Sequence, residues 1–157
     1  MFLIVDIDHT ISDANWRNDL LDAAQISFAT VDKTSNAFDR YHEASIKDKP
    51  IEEMILLVNT LHKAGWAVIG LTTRPEKWRN LTNTWMITHG AHFDVLLMRP
   101  NDDYRPAAQS KLATLKDWLQ YSSVALKKEN TIIVLDDRED IREAFRAEGF
   151  TVLQVFA

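Results

Sequence analysis

Asp6 and Asp8 stand two residues apart at the end of the opening apolar run, MFLIVDIDHT, and Thr10 follows two residues later. Like charges this close repel. The pair therefore marks either a solvated turn or a place where a cation, or a reaction, needs both carboxylates. The pattern recurs in TIIVLDDRED, where another apolar run empties into Asp136 and Asp137. In doubly wound sheets, ligands bind beyond the carboxyl ends of the strands, where the strand order reverses. If the two runs are neighbouring strands, four carboxylates converge there, which is tolerable only around a cation. An all-oxygen ligand set in a chain without cysteine suits Mg²⁺.

A third apolar run, VIGLTTRP, ends in Thr72, Thr73 and Arg74, and Pro75 opens a helical pattern. Hydroxyl, guanidinium and helix N-terminus together describe a phosphate site. A capping Thr73 beside a solvated Arg74 would describe the same residues without one. The segment MRPNDDYRPAAQSK then supplies Arg99, Arg105 and Lys111. A lone lysine on a helix ordinarily faces solvent, so Lys111 gains meaning only in company with the other three elements.

Five short apolar runs read as strands: Phe2–Val5, Trp66–Leu71, Phe93–Met98, Thr131–Leu135 and Thr151–Phe156. Most are near-continuous rather than alternating, as in strands buried on both faces. Helical patterns lie between them. Pro50–Ala64 closes at Gly65, Pro75–His89 at Gly90 and Glu139–Glu148 at Gly149, while Ala107–Tyr121 carries Leu112, Leu115, Trp118 and Leu119 at helical spacing. This alternation predicts an open, doubly wound parallel sheet in a three-layer α/β/α arrangement. The stretch from Ile11 to Lys49 breaks the rhythm. It shows no strand signal and two amphipathic pieces, Asn15–Ala29 and Ser35–Ile46, which predict a small helical cap over residues 11–49.

Composition narrows the class. With 157 residues, 46% hydrophobic, the chain supports one core and is expected to form a single domain over 1–157. The absence of cysteine excludes disulfides and thiolate chemistry and suits a reducing compartment. The formal charge of −5 argues against broad charge-driven nucleic-acid binding. No signal peptide or membrane-length apolar run is present, so a cytoplasmic location without membrane contact is expected. His89 and His92 straddle Gly90 and read as cap and loop residues rather than a metal pair. Trp78, Leu81 and Trp85 share one helix face and read as core. In the cap, Asp13, Asp19, Asp22, Asp39 and Glu43 read as a solvated face, and Arg17, Arg40 and Lys47 as side chains that could reach a substrate.

The four elements together, in this order and over the whole chain, resemble the haloacid dehalogenase superfamily of phosphotransferases. Asp6-Ile7-Asp8-His9-Thr10 is similar to its first motif, Thr72 to the second, Lys111 to the third and Asp136-Asp137 to the fourth. The segments LTTRPEKWRNLTNTW, FDVLLMRPNDDYRPAAQSK and VLDDRED further resemble the phosphatase domain of phage polynucleotide kinase-phosphatases and related phage phosphatases. The resemblance implies that Asp6 is the nucleophile and that Asp8 is the acid and then the base. It implies that Thr72 and Lys111 hold the phosphoryl group, and that Mg²⁺ is bound by Asp6, the Asp8 carbonyl, Asp136 and Asp137. Thr10, Thr73, Arg74, Arg99 and Arg105 would contact substrate.

The expected activity is a Mg²⁺-dependent phosphomonoesterase with a phosphoaspartate intermediate. It would act on a nucleoside monophosphate or a nucleic-acid 3′-phosphate end, in the host cytoplasm if phage-encoded, with no obligatory protein partner. The alternatives are a non-catalytic binding module on the same fold and a phosphatase for other small phosphate esters. Three positions depart from the family pattern: His9 and Thr73 stand where glycine is usual, and Ala107 where an acid often precedes the third-motif lysine. No P-loop motif occurs in this sequence.

Overall fold

The computed structural model of the chain describes residues 1–22, 32, 35–121 and 131–155. In chain order the elements are β1 (Phe2–Val5), β2 (Ser12–Asp13), α1 (Asn18–Asp22), α2 (Asn36–Glu43), β3 (Lys49–Pro50), α3 (Glu52–Lys63), β4 (Ala67–Pro75), α4 (Arg79–Thr88), β5 (Val95–Arg99), α5 (Ala107–Tyr121), β6 (Ile132–Asp136), α6 (Glu139–Ala147) and β7 (Thr151–Gln154).

Five strands form one parallel sheet in the order β5-β4-β1-β6-β7. The order reverses at β1, whose Val5 lies between Gly70 of β4 and Leu135 of β6. Continuous apolar runs suit this sheet because both faces are covered. On one face Ile55 and Val58 of α3 and Trp85 and Met86 of α4 pack with Leu3, Val5 and Val68. On the other, Leu115 of α5 and Ile141 and Phe145 of α6 pack with Ile4, Ile69 and Val134. Trp85 is fully buried, which agrees with its reading as core. His89 caps α4, and its ring lies 4.7 Å from that of Trp85. The helices end where glycine takes a left-handed turn, α3 at Gly65 (φ 86°) and α6 at Gly149 (φ 88°).

Two features of the stretch after β1 differ from expectation. The stretch read as lacking strand signal holds a small antiparallel ribbon, in which Ser12 pairs with Pro50 and Asp13 with Lys49. Two-residue strands are too short to show a period in sequence, yet this ribbon brings the two ends of the cap together. The first amphipathic piece is a 3₁₀ turn at Asn15–Arg17 running into α1, and the remainder of Asn15–Ala29 lies outside the described residues. The second piece is α2, with Ser35 as its N-cap: Ser35 Oγ accepts from the Phe38 amide at 3.2 Å. Leu21, Phe38 and Tyr41 form a small apolar cluster of the cap itself.

Candidate active site

β1 delivers Asp6 at the point where the strand order reverses, and the Asp6 amide donates to Leu135 O of β6 at 3.0 Å. This contact ties the two acidic strand ends together. One carboxylate oxygen from each of Asp6, Asp136 and Asp137 lies within 4.8 Å of the others. Lys111, near the start of α5 and 2% exposed, reaches into the group, with Nζ 2.6 Å from Asp6 Oδ1 and 2.7 Å from Asp136 Oδ2. Asp136 also accepts from the Arg138 amide at 3.0 Å. Asp137 Oδ1 is buried with no hydrogen-bond partner among the described residues.

Burial pushes the Asp6 carboxyl up. Lys111 opposes the rise, and the negative charges of Asp136, Asp137 and Asp8 add to it. Burial and Asp136 likewise raise Asp137. The trio is thus short of positive charge, and its donors are all oxygen. Those are the conditions under which a hard divalent cation fits.

Asp8, two residues on, has the opposite surroundings. Arg74 donates to it through Nε, at 3.2 and 3.1 Å to its two oxygens, and through Nη2 at 2.6 Å. Arg17 binds the same carboxylate from the cap side. Burial alone would raise Asp8, but Arg17 and Arg74 outweigh it and hold the carboxyl well below the usual range. Both arginines are fully buried, and both also reach Asp48 Oδ2, Arg17 at 2.9 Å and Arg74 at 3.2 Å. Asp48 is fixed in turn by Ser12 Oγ at 3.1 Å and Trp16 Nε1 at 3.0 Å. Tyr41 of α2 stacks under Arg17, whose guanidinium carbon lies 4.5 Å from the ring centroid.

A cavity of ≈ 270 Å³ opens over these groups and is lined by Asp6, Asp8, Thr73, Lys111 and Asp137, with His9, Asn18, Tyr41 and Arg138 at its sides. Of the residues singled out in the sequence, these five line one space, with Asp136 beneath them. His9 adopts φ 60°, the left-handed region that glycine enters most easily, which is why glycine suits this position and why His9 holds it at a cost in backbone strain.

The others sit elsewhere. Thr72 is buried behind the cavity, where its hydroxyl accepts from the Arg74 amide at 3.2 Å. Thr10 is buried with its hydroxyl unpartnered among the described residues. Arg74 is committed to Asp8 and Asp48 rather than to an open surface. Arg99, at the end of β5, donates to the carbonyls of Asp103 and Arg105. Arg105 is half-exposed and forks onto Asp103 at 2.9 Å through both Nε and Nη2.

The acids of the cap divide. Asp19 and Glu43 are exposed, as a solvated face requires. Asp48, in the run Lys47-Asp48-Lys49, belongs to none of the motifs singled out in sequence, yet it is 2% exposed and anchors both arginines. Nothing local signals this, because its partners lie 31 and 26 positions away in the chain. Arg142 is also buried, with Nη1 donating to Asp137 O beneath the acidic group.

A parallel sheet with acids at the carboxyl ends of β1 and β6, a buried lysine between them and a small cap after β1 defines a haloacid dehalogenase-like fold. Solved structures agree. The chain superposes on "Structure of Pnkp1/Rnl/Hen1 complex" with TM-score 0.72 and 22% identity, covering 99% of this chain and 45% of that one. A haloacid dehalogenase-like hydrolase from Streptococcus pneumoniae gives 0.67 and 16%, covering 97% and 82%. The magnesium-bound HAD-hydrolase YfnB from Bacillus subtilis gives 0.69 and 9%, covering 98% and 87%. This chain thus spans less than half the Pnkp1 complex chain. The comparison with curated proteins finds no match.

The family described as "Polynucleotide kinase PNKP phosphatase domain" matches residues 1–157, and the chain belongs to it. Among the described residues no helix is long and apolar enough to cross a membrane.

Proposed function

We propose that the chain is a Mg²⁺-dependent phosphomonoesterase that acts on the phosphate of a nucleotide or of a nucleic-acid 3′ end. The observation that carries this reading is Asp6 at the cavity floor, 2.6 Å from Lys111 and within the acidic trio. Asp6, Asp136 and Asp137, with the Asp8 carbonyl, would hold the metal. Once bound there, Mg²⁺ would supply the positive charge that lets an anionic phosphate approach an anionic Asp6.

The chain's own residues supply the rest. Asp6 attacks phosphorus to give an aspartyl phosphate and displaces the alcohol. Lys111 neutralises charge on Asp6 and on the phosphoryl oxygens, and Thr73, which lines the cavity, offers a hydroxyl and an amide to them. Two arginines keep Asp8 ionised, the form that takes a proton from water in the second step, although the same grip lowers its basicity. To donate a proton in the first step it would have to lose part of that grip. The nucleotide character of the substrate rests on the family to which the chain belongs.

The Arg17–Asp8–Arg74 clamp also favours a second reading, a binding module whose second acid is locked in a structural role. Phosphate release with Mg²⁺ from 3′- and 5′-nucleoside monophosphates and from oligonucleotides phosphorylated at either end separates the two. An enzyme releases phosphate from at least one substrate and loses about 10³-fold or more in rate in Asp6→Asn. A binder releases none and retains affinity in that variant.

A further inference from the structure

The turn that follows β1 is closed by its own backbone. Ile7 O accepts from the amides of Thr10 at 3.2 Å, Ile11 at 3.0 Å and Ser12 at 3.0 Å, and the His9 amide donates to Ser12 O at 2.7 Å. His9 is thereby held at φ 60°, the one positive value outside glycine among the described residues. A Cβ crowds the backbone in that conformation, which glycine would hold without strain. Strain of this kind gathers at functional sites, where the surrounding structure imposes it.

The imidazole for which that strain is borne is not used to hold the protein together. It lines the cavity over Asp6 and makes no hydrogen bond, ion pair or ring contact with the described residues. Asp137 lies near enough to feel a charge on the ring, after burial and Asp136 in their influence on that carboxyl, but no hydrogen bond joins the two. Other walls of the cavity are engaged: Tyr41 lies 4.5 Å under the Arg17 guanidinium, and Arg138 forks onto Asp140 at 3.0 and 2.7 Å. Depth gives the ring its place. Asp6 is buried at the floor, His9 is half-buried, and Asn18 and Arg138 are exposed at the mouth. In-line attack by Asp6 sends the departing alcohol away from the floor, so its first atoms pass the imidazole.

We propose that His9 is a specificity-determining residue, whose ring hydrogen-bonds the departing alcohol just beyond the phosphate, so that the site favours esters of hydroxyl-bearing alcohols over flat aryl esters. The inference rests on the phosphatase reading, which sets the direction in which the alcohol leaves. A neutral imidazole offers one donor and one acceptor, and a substrate that fills the cavity shuts solvent away from both. An alcohol with a hydroxyl on the carbon next to the ester satisfies them. An aryl ester leaves them unmatched, which is how a site built to bond a hydroxyl rejects a substrate without one.

The test compares the full chain with its His9→Gly and His9→Asn variants, with Mg²⁺ present, on a ribonucleoside 3′-monophosphate and on para-nitrophenyl phosphate. The first carries a hydroxyl beside the ester and the second does not. The ratio of kcat/KM for the first to that for the second is expected to fall about tenfold in His9→Gly. It should fall less in His9→Asn, whose amide also donates and accepts and whose backbone tolerates this conformation. Thermal melts should place His9→Gly at or above the wild type, because the strain is gone, so that lost selectivity is not unfolding. A ratio that stays within about twofold overturns the proposal, and so does an equal loss on both esters, the result expected if the ring acts through Asp137. Release from para-nitrophenyl phosphate alone overturns it as well. If the wild type releases phosphate from neither ester, the phosphatase reading falls and equilibrium affinity decides for His9. A ribonucleoside 3′-monophosphate that then binds about tenfold more weakly to His9→Gly, while inorganic phosphate does not, leaves the contact standing; unchanged affinities overturn it.

Discussion

Asp6 and Asp8 leave the same strand two residues apart and enter opposite worlds. Asp6 joins two other carboxylates around a single lysine. Asp8 is enclosed by two arginines, with a further acid, Asp48, behind them. The first group carries an excess of negative charge and opens onto a cavity. The second is balanced, two carboxylates against two guanidiniums, and its arginines are fully buried. The contrast separates two tasks that the motif alone does not. The acid-rich group is poised to gain a cation. The arginine-rich knot stitches the cap, through Arg17 and Asp48, to the sheet edge, through Asp8 and Arg74.

Removing one member of the knot should have the larger effect on stability. Asp48→Ala leaves Arg17 and Arg74 with one carboxylate between them in a buried site. It is expected to cost about 3–5 kcal/mol in urea denaturation. A loss below ~1 kcal/mol would mean that the knot behaves like a surface ion pair.

The acid-rich group should respond in the opposite sense to a ligand. Mg²⁺ at a hundred times its dissociation constant is expected to stabilise the fold by about 2.7 kcal/mol, read as a rise in melting temperature. Asp137→Asn removes one of the three carboxylates and should blunt that rise at the same metal concentration. Asp48→Asn, on the other side, should leave the metal dependence of the melting temperature in place.

The smallest effect sharpens the comparison through His42, which α2 buries behind the knot. Burial lowers its pKa from 6.5 to about 3, with Asp8 opposing and Arg17 adding to the fall. The folded state therefore holds His42 neutral, and the unfolded chain takes up the proton first. Stability from this residue is complete above pH 6.5 and is lost progressively as the pH falls toward 3. Between pH 7 and 5 the loss is about 2 kcal/mol. Asp6, whose carboxyl is raised, acts with the opposite sign in metal-free protein, since acidification favours its folded protonated form. The contribution of His42 is therefore the difference between wild type and His42→Gln over that interval. Parallel curves for the two would remove His42 from the pH dependence.

The parts of this arrangement legible in sequence were those in which residue type and strand end coincide. Asp6, Asp8, Asp136 and Asp137 each follow an apolar run, and the run itself predicts the parallel sheet that brings β1 beside β6. Lys111 was legible only through the order of the motifs. The knot was not legible, because its pairings join positions far apart. Arg17 read as a cap side chain that could reach a substrate and Asp48 carried no motif of its own, and only the folded cap sets them 2.9 Å apart. The β2–β3 ribbon that closes the cap is two residues long on each side, below the length at which alternation shows. Thr72 and Arg74 were legible as a polar cluster, but their aim depends on the burial of the arginine, which composition does not reveal.

The most direct test of the division between the two acids is to trap the reaction on the protein. Wild type, Asp6→Asn and Asp8→Asn are mixed with Mg²⁺ and the best substrate from the release panel, quenched within a turnover, and the intact mass of each is measured. If Asp6 attacks phosphorus and Asp8 serves the water step, Asp8→Asn accumulates one phosphoryl group, mapped to the peptide containing residue 6, and Asp6→Asn gains none. Phosphate release with no label on any variant, or turnover that persists in Asp6→Asn, would contradict the assignment of Asp6 as the nucleophile.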